Sequence, residues 1–395
     1  MNIILKNISL KWSLIMTYIT RSLEADIKRR LFSGKAIIVF GPRQCGKTTM
    51  LRHIIEPWAD DVLWLTGDSS DTRDELNRIT VARWKLILGR KKILVLDEAQ
   101  RIPNIGLALK LLIDQIPEIQ VIATGSSSFA LEGKTAEPLT GRKFEYRLLP
   151  LSFQEMVAHA GLLEEKQFRE QRLLYGSYPD ILTHPEDSVR LLSELVNSYL
   201  FKDIYALEGL RRTKILDNLV KALAMQVGSE VSLNELAGLV GVDRKTVETY
   251  IDLLEKNYVV FSLSAYSGNM RNEIRKGKKI YFYDLGVRNA VMGNFSRTSS
   301  RTDSGGMWEN YLILERLKNT LNLSFPPQCF FWRSTGPQGK EIDYLEKTSN
   351  TLRAWEIKFN PASKAKIPLS FKRAYPDAET DILTPANYDN FLLHE

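Results

Sequence analysis

The sequence predicts an α/β protein of several domains, the first organised around a parallel sheet. Three observations support this. An apolar run ends in a glycine-rich loop at residues 36–49, a second apolar run ends in two acids at 92–98, and short strands near the C-terminus carry two acids and a lysine. Continuous apolar runs are typical of strands buried on both faces of a parallel sheet. A chain of 395 residues exceeds what one core usually organises, so about two to three domains are expected.

Residues 36–49, A-I-I-V-F-G-P-R-Q-C-G-K-T-T, join an apolar strand to a helix through the pattern G-x-x-x-x-G-K-[ST], the P-loop. Its two glycines permit a backbone path that points N–H groups and a helix N-terminus at a phosphate. Lys47 is expected to reach the β- and γ-phosphates of a nucleotide, and the Thr48 hydroxyl to hold Mg²⁺. Cys45 occupies a variable position and is incidental to this chemistry. The predicted nucleotide-binding residues of the loop are Gly41, Pro42, Arg43, Gln44, Cys45, Gly46, Lys47, Thr48 and Thr49.

Residues 92–100, K-I-L-V-L-D-E-A-Q, predict a second buried strand that ends in two carboxylates. Ligands of open α/β sheets bind beyond the carboxyl ends of the strands, so both acids are expected beside the loop. Asp97 is expected to hold the water shell of Mg²⁺, and Glu98 to orient and deprotonate the attacking water. Apolar runs ending in acids are common, and it is the spacing behind the loop that makes this pattern specific.

Two further polar positions have open alternatives. After a third apolar run at residues 119–123, Ser126 or Ser127 either senses the γ-phosphate or belongs to an ordinary turn or helix cap. Arg142 ends the segment L-T-G-R and is either an arginine finger, acting in its own or a neighbouring subunit, or a plain surface arginine.

Composition and charge restrict the setting of the protein. Hydrophobic residues make up 44% of the chain and charged residues 26%, which is typical of a soluble globular protein. Cys45 and Cys329 lie far apart and have no partners at metal-binding spacing, so a reducing, cytoplasmic setting is expected. Lysine and arginine outnumber the acids by 54 to 47, an excess that permits a nucleic-acid partner without establishing one.

The N-terminal residues predict no membrane span. Lys6 and Lys11 interrupt the apolar stretch of residues 1–16, and no run reaches the roughly 18 residues that a membrane helix needs. Met16 is an alternative to Met1 as the natural start, because the helical pattern begins near Ile19.

Several segments together resemble a known family. The segments are G-P-R-Q-x-G-K-T-T at 41–49, L-x-L-D-E-A-Q at 94–100, T-G-S-S at 124–127 and L-T-G-R at 139–142. This set is similar to bacterial AAA-type ATPases that carry a C-terminal domain of uncertain function. The resemblance continues through residues 173–180, where Ser177 replaces the second glycine of the family's G-G-Y-P, and through 199–204. It implies ATP as the ligand, and it leaves the biological role and the oligomeric state open.

The middle of the chain predicts two small modules. Residues 151–210 have a helical pattern and are expected to form a lid behind the P-loop sheet. Residues 211–290 are expected to form a winged helix-turn-helix, since S-L-N-E at 232–235 is a helix-capping signature, Asp243 caps a second helix, and two strands follow.

The partner of this winged helix-turn-helix is open. Five basic residues between 271 and 279 favour contact with DNA phosphates by the wing. On the second helix, Glu248, Asp252 and Glu255 would repel phosphates, which favours a protein partner instead.

Residues 300–395 predict the order helix, strand, strand, strand, helix, strand. Asp343 lies on one central strand, and Glu356 and Lys358 project from one face of the next, since strand residues two apart share a face. Two carboxylates that bind Mg²⁺ beside a lysine that positions water suit phosphodiester hydrolysis, and Glu309 on the helix is expected to assist. The pattern resembles the PD-(D/E)xK nuclease fold, including archaeal junction resolvases. The alternative is a structural ion pair between Glu356 and Lys358.

The predicted fold class is therefore α/β: a P-loop NTPase parallel sheet with a helical lid, then a winged helix-turn-helix, then a PD-(D/E)xK nuclease-like domain. The expected bounds are 17–150, 151–210, 211–290 and 300–395. One hypothesis is an enzyme that hydrolyses ATP with Mg²⁺ and acts on DNA through the last two modules. The other is a nucleotide-dependent switch that binds a protein partner and has a non-catalytic C-terminal domain.

Overall fold

The computed structural model of the chain describes residues 18–126, 139–197, 213–267, 277–334 and 339–393. These residues form two compact units. The first, called the P-loop unit, comprises the described part of 16–151 together with Lys256–Tyr258, and the second, called the C-terminal unit, comprises the rest. Within the described ranges no helix is both long enough and apolar enough to span a membrane.

The P-loop unit contains a five-stranded sheet whose neighbouring strands are all parallel. The strands are β1 (Ala36–Phe40), β2 (Val62–Thr66), β3 (Ile93–Asp97), β4 (Gln120–Gly125) and β5 (Lys143–Arg147). The spatial order is β2-β3-β4-β1-β5, so that β1 lies between β4 and β5. β1 and β4 are buried throughout, as their continuous apolar sequences predict.

The helices of this unit are α1 (Glu24–Arg30), α2 (Lys47–Ile55), α3 (Ser70–Leu76), α4 (Val81–Leu88) and α5 (Ile105–Gln115), with 3₁₀ turns at Glu56–Asp61 and Ala99–Arg101. α3 and α4 were not expected from the apolar pattern. Both begin at a side-chain cap: Ser69 accepts a hydrogen bond from the Thr72 N–H at 3.4 Å, and Thr80 accepts one from the Arg83 N–H at 3.3 Å.

The C-terminal unit begins with short helices, α6 (Phe153–Ala160), α7 (Leu162–Gln167), α8 (Arg169–Tyr175), α9 (Pro179–Thr183) and α10 (Ser188–Leu195), and a 3₁₀ turn at Pro185–Asp187. The next elements are α11 (Thr213–Met225), β6 (Glu230–Val231), α12 (Leu233–Val240), α13 (Arg244–Lys256), β7 (Val260–Ala265), β8 (Lys278–Phe282) and α14 (Leu285–Met292). The last are a 3₁₀ turn at Thr298–Ser300, α15 (Ser304–Thr320), β9 (Gln328–Arg333), β10 (Glu341–Lys347), β11 (Leu352–Ile357), α16 (Leu369–Ala374), β12 (Glu379–Leu383) and α17 (Tyr388–Leu393).

The predicted caps of α12 and α13 are present. Ser232 accepts from the Glu235 N–H at 3.3 Å, and Asp243 accepts from the Thr246 N–H at 2.9 Å. From α15 to β12 the elements follow the predicted order, and α17 is an addition.

One seven-stranded sheet runs through the C-terminal unit in the order β12-β11-β10-β9-β7-β8-β6. β7 pairs in parallel with β9 at Ser264–Phe330 and Ala265–Phe331. This pairing joins the strands of 211–290 to those of 300–395, two segments that the sequence suggests are separate domains.

The described part of the expected lid, 152–197, also belongs to the C-terminal unit. Leu173 from α8, Tyr281 from β8 and Trp308 from α15 lie in one hydrophobic core. Asn289 on α14 donates from Nδ2 to the carbonyl oxygens of Leu173 and Leu174, each at 2.9 Å. The lid segment therefore differs from its expected position, because its apolar face packs on this core.

The turn after α8 explains one glycine of the family-like segment at 173–180. Gly176 has φ +71°, and a Cβ there would lie 2.1 Å from Oδ1 of Asp284. Asp284 is buried and accepts from the N–H groups of Ser177 at 2.8 Å and Val287 at 3.0 Å. The glycine thus makes room for a buried carboxyl that caps α14.

Some predicted positions lie outside the described residues. They are Ser127, the segment 199–204, and the wing residues Arg271, Arg275 and Lys276.

Candidate functional site

The P-loop lies at the carboxyl edge of the parallel sheet, between β1 and α2. Its first glycine is required by a close approach, since a Cβ on Gly41 would lie 1.9 Å from the carbonyl oxygen of Leu148. The Gly41 N–H donates to the carbonyl oxygen of Gly125, at the end of β4, at 3.2 Å. Gly46 has a φ of +97°, a left-handed conformation that favours glycine, and α2 begins at the next residue.

The Lys47 side chain folds over the loop. It is buried, and its Nζ donates to the carbonyl oxygens of Gly41 at 2.9 Å and Pro42 at 2.8 Å. The ammonium and the N-terminus of α2 both attract anions. Among the other predicted loop residues, the half-buried ones are Arg43, Gly46 and Thr48, and the exposed ones are Gln44 and Thr49.

An arginine outside the loop holds it in place. Arg21, which precedes α1, is buried and donates to the carbonyl oxygens of Cys45 at 2.9 Å and Leu149 at 2.6 Å. Glu24 accepts from the Arg21 N–H at 2.8 Å and fixes the turn. The side chain of Cys45, a residue of the loop, is buried, and its Sγ donates to the carbonyl oxygen of Leu148 at 3.3 Å. Burial raises the pKa of this thiol.

The end of β3 meets the start of α2 through a carboxylate. Thr48 Oγ1 donates to Oδ2 of Asp97 at 2.8 Å, and the hydroxyl of Thr124, near the end of β4, donates to Oδ1. Both carboxylate oxygens are thus oriented by hydroxyl groups. A hydroxyl and a carboxylate oxygen side by side are hard ligands of the kind that Mg²⁺ takes together with phosphate oxygens. The donors at this position therefore fit a magnesium ion.

Gln100 joins Glu98 to Ser126. Its Nε2 donates to Oε2 of Glu98 at 2.5 Å and to Oγ of Ser126 at 2.8 Å. The Glu98 N–H donates to the Thr124 hydroxyl at 3.1 Å, and Glu98 has a φ of +50°, which is uncommon outside glycine. Backbone outliers of this kind cluster at functional sites. Gln100 was not predicted as a site residue, although its amide lies only two residues beyond the acid.

Arg142 lies at the opposite edge of the sheet. Its carbonyl oxygen accepts from the N–H of Ala36, the first residue of β1, at 2.9 Å. Its Nε donates to Oδ1 of Asp114, at the end of α5, at 2.6 Å. The structure therefore does not bring Arg142 together with Lys47 within one chain. The sequence did not indicate this, because the edge that a turn occupies depends on strand direction.

The C-terminal unit gathers four acids and two lysines. The predicted members of this cluster are Glu309 on α15, Asp343 on β10, Glu356 on β11 and Lys358 just after it. The structure adds Glu341 from β10 and Lys279 from β8, which were not predicted. The register of three strands decides that Lys279 faces β10, and no local pattern in the sequence reveals it.

Lys279 lies at the centre of the cluster. Its side chain is 1% exposed, and Nζ contacts Glu341, lies 2.9 Å from Oε1 of Glu309 and lies 3.6 Å from Oδ1 of Asp343. The ammonium is also 5.5 Å from the centre of the Phe331 ring, close enough for a cation–π contact. The position of the Lys279 ammonium is therefore fixed by three acids and an aromatic ring.

Lys358, the second lysine of the cluster, contacts Glu356 and Asp343. Its Nζ lies 2.6 Å from Oε1 of Glu356 and 3.6 Å from Oδ2 of Asp343. Oδ2 of Asp343 also accepts the Ile357 N–H at 2.8 Å. Each of the four acids thus contacts at least one ammonium.

Burial and charge shift the pKa values in this cluster. Burial raises the pKa of Glu309 to about 7, although Lys279 and the Tyr281 hydroxyl stabilise the carboxylate. Burial disfavours the charged form of Lys279, but Glu309, Asp343 and Glu341 outweigh it and raise the pKa of this lysine. Burial and the Asp343 charge raise the pKa of Glu356. Because nearby acids raise the pKa of both Lys279 and Lys358, the two lysines of the cluster remain charged.

The cluster does not fit a divalent metal ion. In the part of the chain that the structure describes, no group of three or more histidines, cysteines or acids is arranged to hold one. Where the acids converge, an ammonium is already in contact with them. This arrangement differs from that of Thr48 and Asp97, whose oxygens are joined directly by a hydrogen bond.

Comparison with family models divides the chain into three parts. Residues 33–157 match a model described as an AAA domain. Residues 166–298 and 304–390 match two models that are each described as a domain of unknown function, DUF8612 and DUF4143. Residues 33–157 are therefore similar to an AAA domain, in line with the P-loop motifs, and are followed by regions for which the family models record no activity.

Relatives of similar length are themselves uncharacterized. An uncharacterized protein of Mycobacterium tuberculosis is 27% identical over 370 residues, which cover 91% of this chain and 78% of that protein. Another, from Haemophilus influenzae, is 22% identical and covers 82% of each chain.

Among solved structures, a chain from the Drosophila ORC complex bound to AT-rich DNA and Cdc6 matches 73% of this chain and 93% of its own length. Its sequence identity is 13% and the TM-score is 0.26, too low to support a conclusion about this protein.

Proposed function

We propose that this protein binds ATP together with Mg²⁺ at residues 41–48 and hydrolyses it. One observation carries the proposal: the Thr48 hydroxyl and the Asp97 carboxylate meet at 2.8 Å at the foot of the P-loop. Glu98 follows directly on the same strand end. One edge of the sheet thus carries the P-loop, two oxygens suited to bind magnesium, and an acid suited to activate a water molecule.

Each residue has a role in this proposal. The loop N–H groups bind phosphate oxygens, and the Lys47 ammonium exchanges the carbonyl oxygens of Gly41 and Pro42 for the β- and γ-phosphates. Thr48 and Asp97 would hold Mg²⁺, which would supply positive charge to offset that of the phosphate oxygens. Glu98 orients the attacking water and accepts its proton, and Ser126 senses the γ-phosphate.

An arginine-finger role for Arg142 requires a neighbouring copy of the chain. Its own P-loop lies beyond the other end of β1, and its guanidinium is paired with Asp114. We therefore propose that role only for an oligomer.

The test of ATP hydrolysis compares Glu98→Gln with wild type. The glutamine keeps the size of the side chain and removes the proton acceptor, so ATP binding should persist while turnover falls by about 10²-fold or more. Glu118→Gln, which changes an exposed acid of the same unit, is the matched control and should turn over ATP at the wild-type rate. Equal turnover by wild type and Glu98→Gln would remove Glu98 from the mechanism.

We propose DNA as the first candidate partner. Support comes from the elements α11 to β8, whose order of helix, strand, helix, helix, strand, strand is that expected of a winged helix-turn-helix. Lys278 at the start of β8 is exposed, as a phosphate-contacting residue requires. Residues 300–395 are proposed to share the PD-(D/E)xK fold, on the order of α15 to β12, but a fold does not carry its chemistry with it.

The alternative is a nucleotide-dependent switch that binds a protein. It is supported by α13, where Arg244 is paired with Glu248 at 3.0 Å and Asp252 is exposed. Such a face would repel phosphates.

Stimulation of ATP turnover by duplex DNA separates the two candidates. DNA as the partner predicts stimulation and a binding constant that falls steeply with salt. The salt slope should flatten by up to about 4 units when alanine replaces the wing residues Arg271, Arg275, Lys276 and Lys278. If DNA neither binds to the protein nor stimulates ATP turnover, the protein-binding switch is the remaining candidate.

A further inference from the structure

We infer that the Lys279 ammonium takes the place of a divalent metal ion in the C-terminal unit, so that the cluster of Glu309, Glu341, Asp343 and Glu356 is a site already occupied by a fixed cation, with no metal-dependent nuclease chemistry. The acids of this cluster have the spacing that predicts a metal centre, and the structure does bring them together. What the sequence did not reveal is the cation that arrives from β8.

The first support for this inference is the position of Lys279. Three acids from two elements converge on one nitrogen: Glu309 at 2.9 Å, Asp343 at 3.6 Å, and Glu341 in direct contact. Convergent carboxylates repel one another unless a cation lies between them. In a metal site that cation is the ion, whereas here it is the end of a side chain.

Lys279 cannot easily vacate this position. Its side chain is 1% exposed, and its backbone is paired on both sides, with Leu263 of β7 and Glu230 of β6. The Phe331 ring lies against the ammonium. A lysine in an open site would swing into water to admit an ion, but this one would have to leave the protein interior.

Two of the oxygens that a metal would use also accept hydrogen bonds. Oδ2 of Asp343 accepts from the Ile357 N–H, and Oε1 of Glu309 accepts from the Tyr281 hydroxyl at 2.6 Å as well as from Lys279. Within the described residues, Oε2 of Glu356 is buried without a hydrogen-bond partner. A divalent ion bound there would lie close to the Lys358 ammonium, which is 2.6 Å from the other oxygen of the same carboxylate, and like charges at such distances repel strongly in a protein interior.

The inference has a positive consequence. Removal of the Lys279 side chain leaves Glu309, Glu341 and Asp343 converging on an unfilled position, with a charge that a divalent ion would offset. The site is therefore expected to gain a metal when the lysine is lost.

The experiment measures Mn²⁺ binding to the full chain without nucleotide, by electron paramagnetic resonance, in five forms. They are wild type, Asp343→Asn, Lys279→Ala, Lys279→Ala with Asp343→Asn, and the control Lys278→Ala, which removes the exposed lysine next along β8. Wild type, Asp343→Asn and Lys278→Ala should bind Mn²⁺ equally weakly. Lys279→Ala should bind one additional ion at least about tenfold more tightly, and Asp343→Asn should abolish that gain.

Three results would overturn the inference. The first is a wild-type Mn²⁺ site that Asp343→Asn removes, which would show that the ion and Lys279 coexist. The second is a folded Lys279→Ala protein that gains no ion, and the third is an equal gain in Lys278→Ala. If Lys279→Ala fails to fold, the wild type and Asp343→Asn still decide, because the asparagine retains an oxygen for the Ile357 N–H.

Discussion

The protein contains two sites built from the same residue types, acids beside a lysine, and they differ in which groups contact the acids. In the P-loop unit, Asp97 is oriented by the hydroxyls of Thr48 and Thr124, while Lys47 donates to backbone carbonyl oxygens. In the C-terminal unit, Lys279 and Lys358 contact the acids directly.

This difference shows why a constellation of acids and a lysine does not define a metal site. A carboxylate held by neutral hydroxyls keeps its charge available for an incoming cation. A carboxylate held by an ammonium has already satisfied that charge. The first arrangement suits a ligand that comes and goes, whereas the second suits a fixed structure. The predictions below test this comparison, beginning with the largest expected effect.

Loss of the ammonium should strongly destabilise the C-terminal unit. Lys279→Ala leaves buried acids without their counter-ion, a change that typically costs about 3–5 kcal/mol. Lys278→Ala, at an exposed position on the same strand, should cost less than about 0.5 kcal/mol. Hydrogen exchange at the amides of β8 and β10 measures the effect within this unit. Equal protection in the two variants would mean that Lys279 is not the counter-ion of the cluster.

The buried carboxyl group of Asp284 should make the stability of the protein depend on pH. Burial raises the pKa of Asp284 to about 6, although the N–H groups of Ser177 and Val287 and the nearby Lys318 lower it. Since the unfolded chain loses this proton first, the stability contribution of Asp284 falls as pH rises from about 4 to 6, by up to about 3 kcal/mol.

Urea denaturation of wild type and Asp284→Asn between pH 4 and 7 tests this. The asparagine does not titrate, so the stability difference between the two proteins should change across this window and level off above it. A constant difference would contradict the raised pKa.

The contact between Gln100 and Glu98 should matter for turnover and little for binding. Gln100→Ala frees Glu98 and Ser126 from their common donor, so kcat should fall about tenfold while KM for ATP stays near its wild-type value. Steady-state kinetics measure both constants. A rise in KM with unchanged kcat would instead give Gln100 a role in substrate binding.

The sequence was sufficient to predict elements and site residues whose evidence lies in a short stretch of the chain. β1, the P-loop and α2 follow from an apolar run, two glycines and a lysine within 36–49, and the acids at the end of β3 follow from similar local evidence. The starts of α3 and α4 carried a usable signal as well, in the caps Ser69 and Thr80.

The sequence was insufficient where contacts join distant segments. Arg21 reaches Cys45 and Leu149, and Lys279 reaches α15 and β10, through packing that leaves no periodic pattern. The edge of the sheet occupied by Arg142 follows from the parallel direction of β5, which its short sequence does not specify. Strand register and direction, rather than residue type, decided these positions.

The affinity of Lys47→Ala and Lys279→Ala for ATP with Mg²⁺, measured by calorimetry under conditions where both variants are folded, tests the central comparison most directly. Lys47 is expected to contact the nucleotide and Lys279 only the protein. Lys47→Ala should therefore bind ATP at least about tenfold more weakly than wild type, and Lys279→Ala should bind it equally well. Wild-type affinity in Lys47→Ala, or an equal loss in both variants, would contradict the assignment of one lysine to a ligand and the other to the fold.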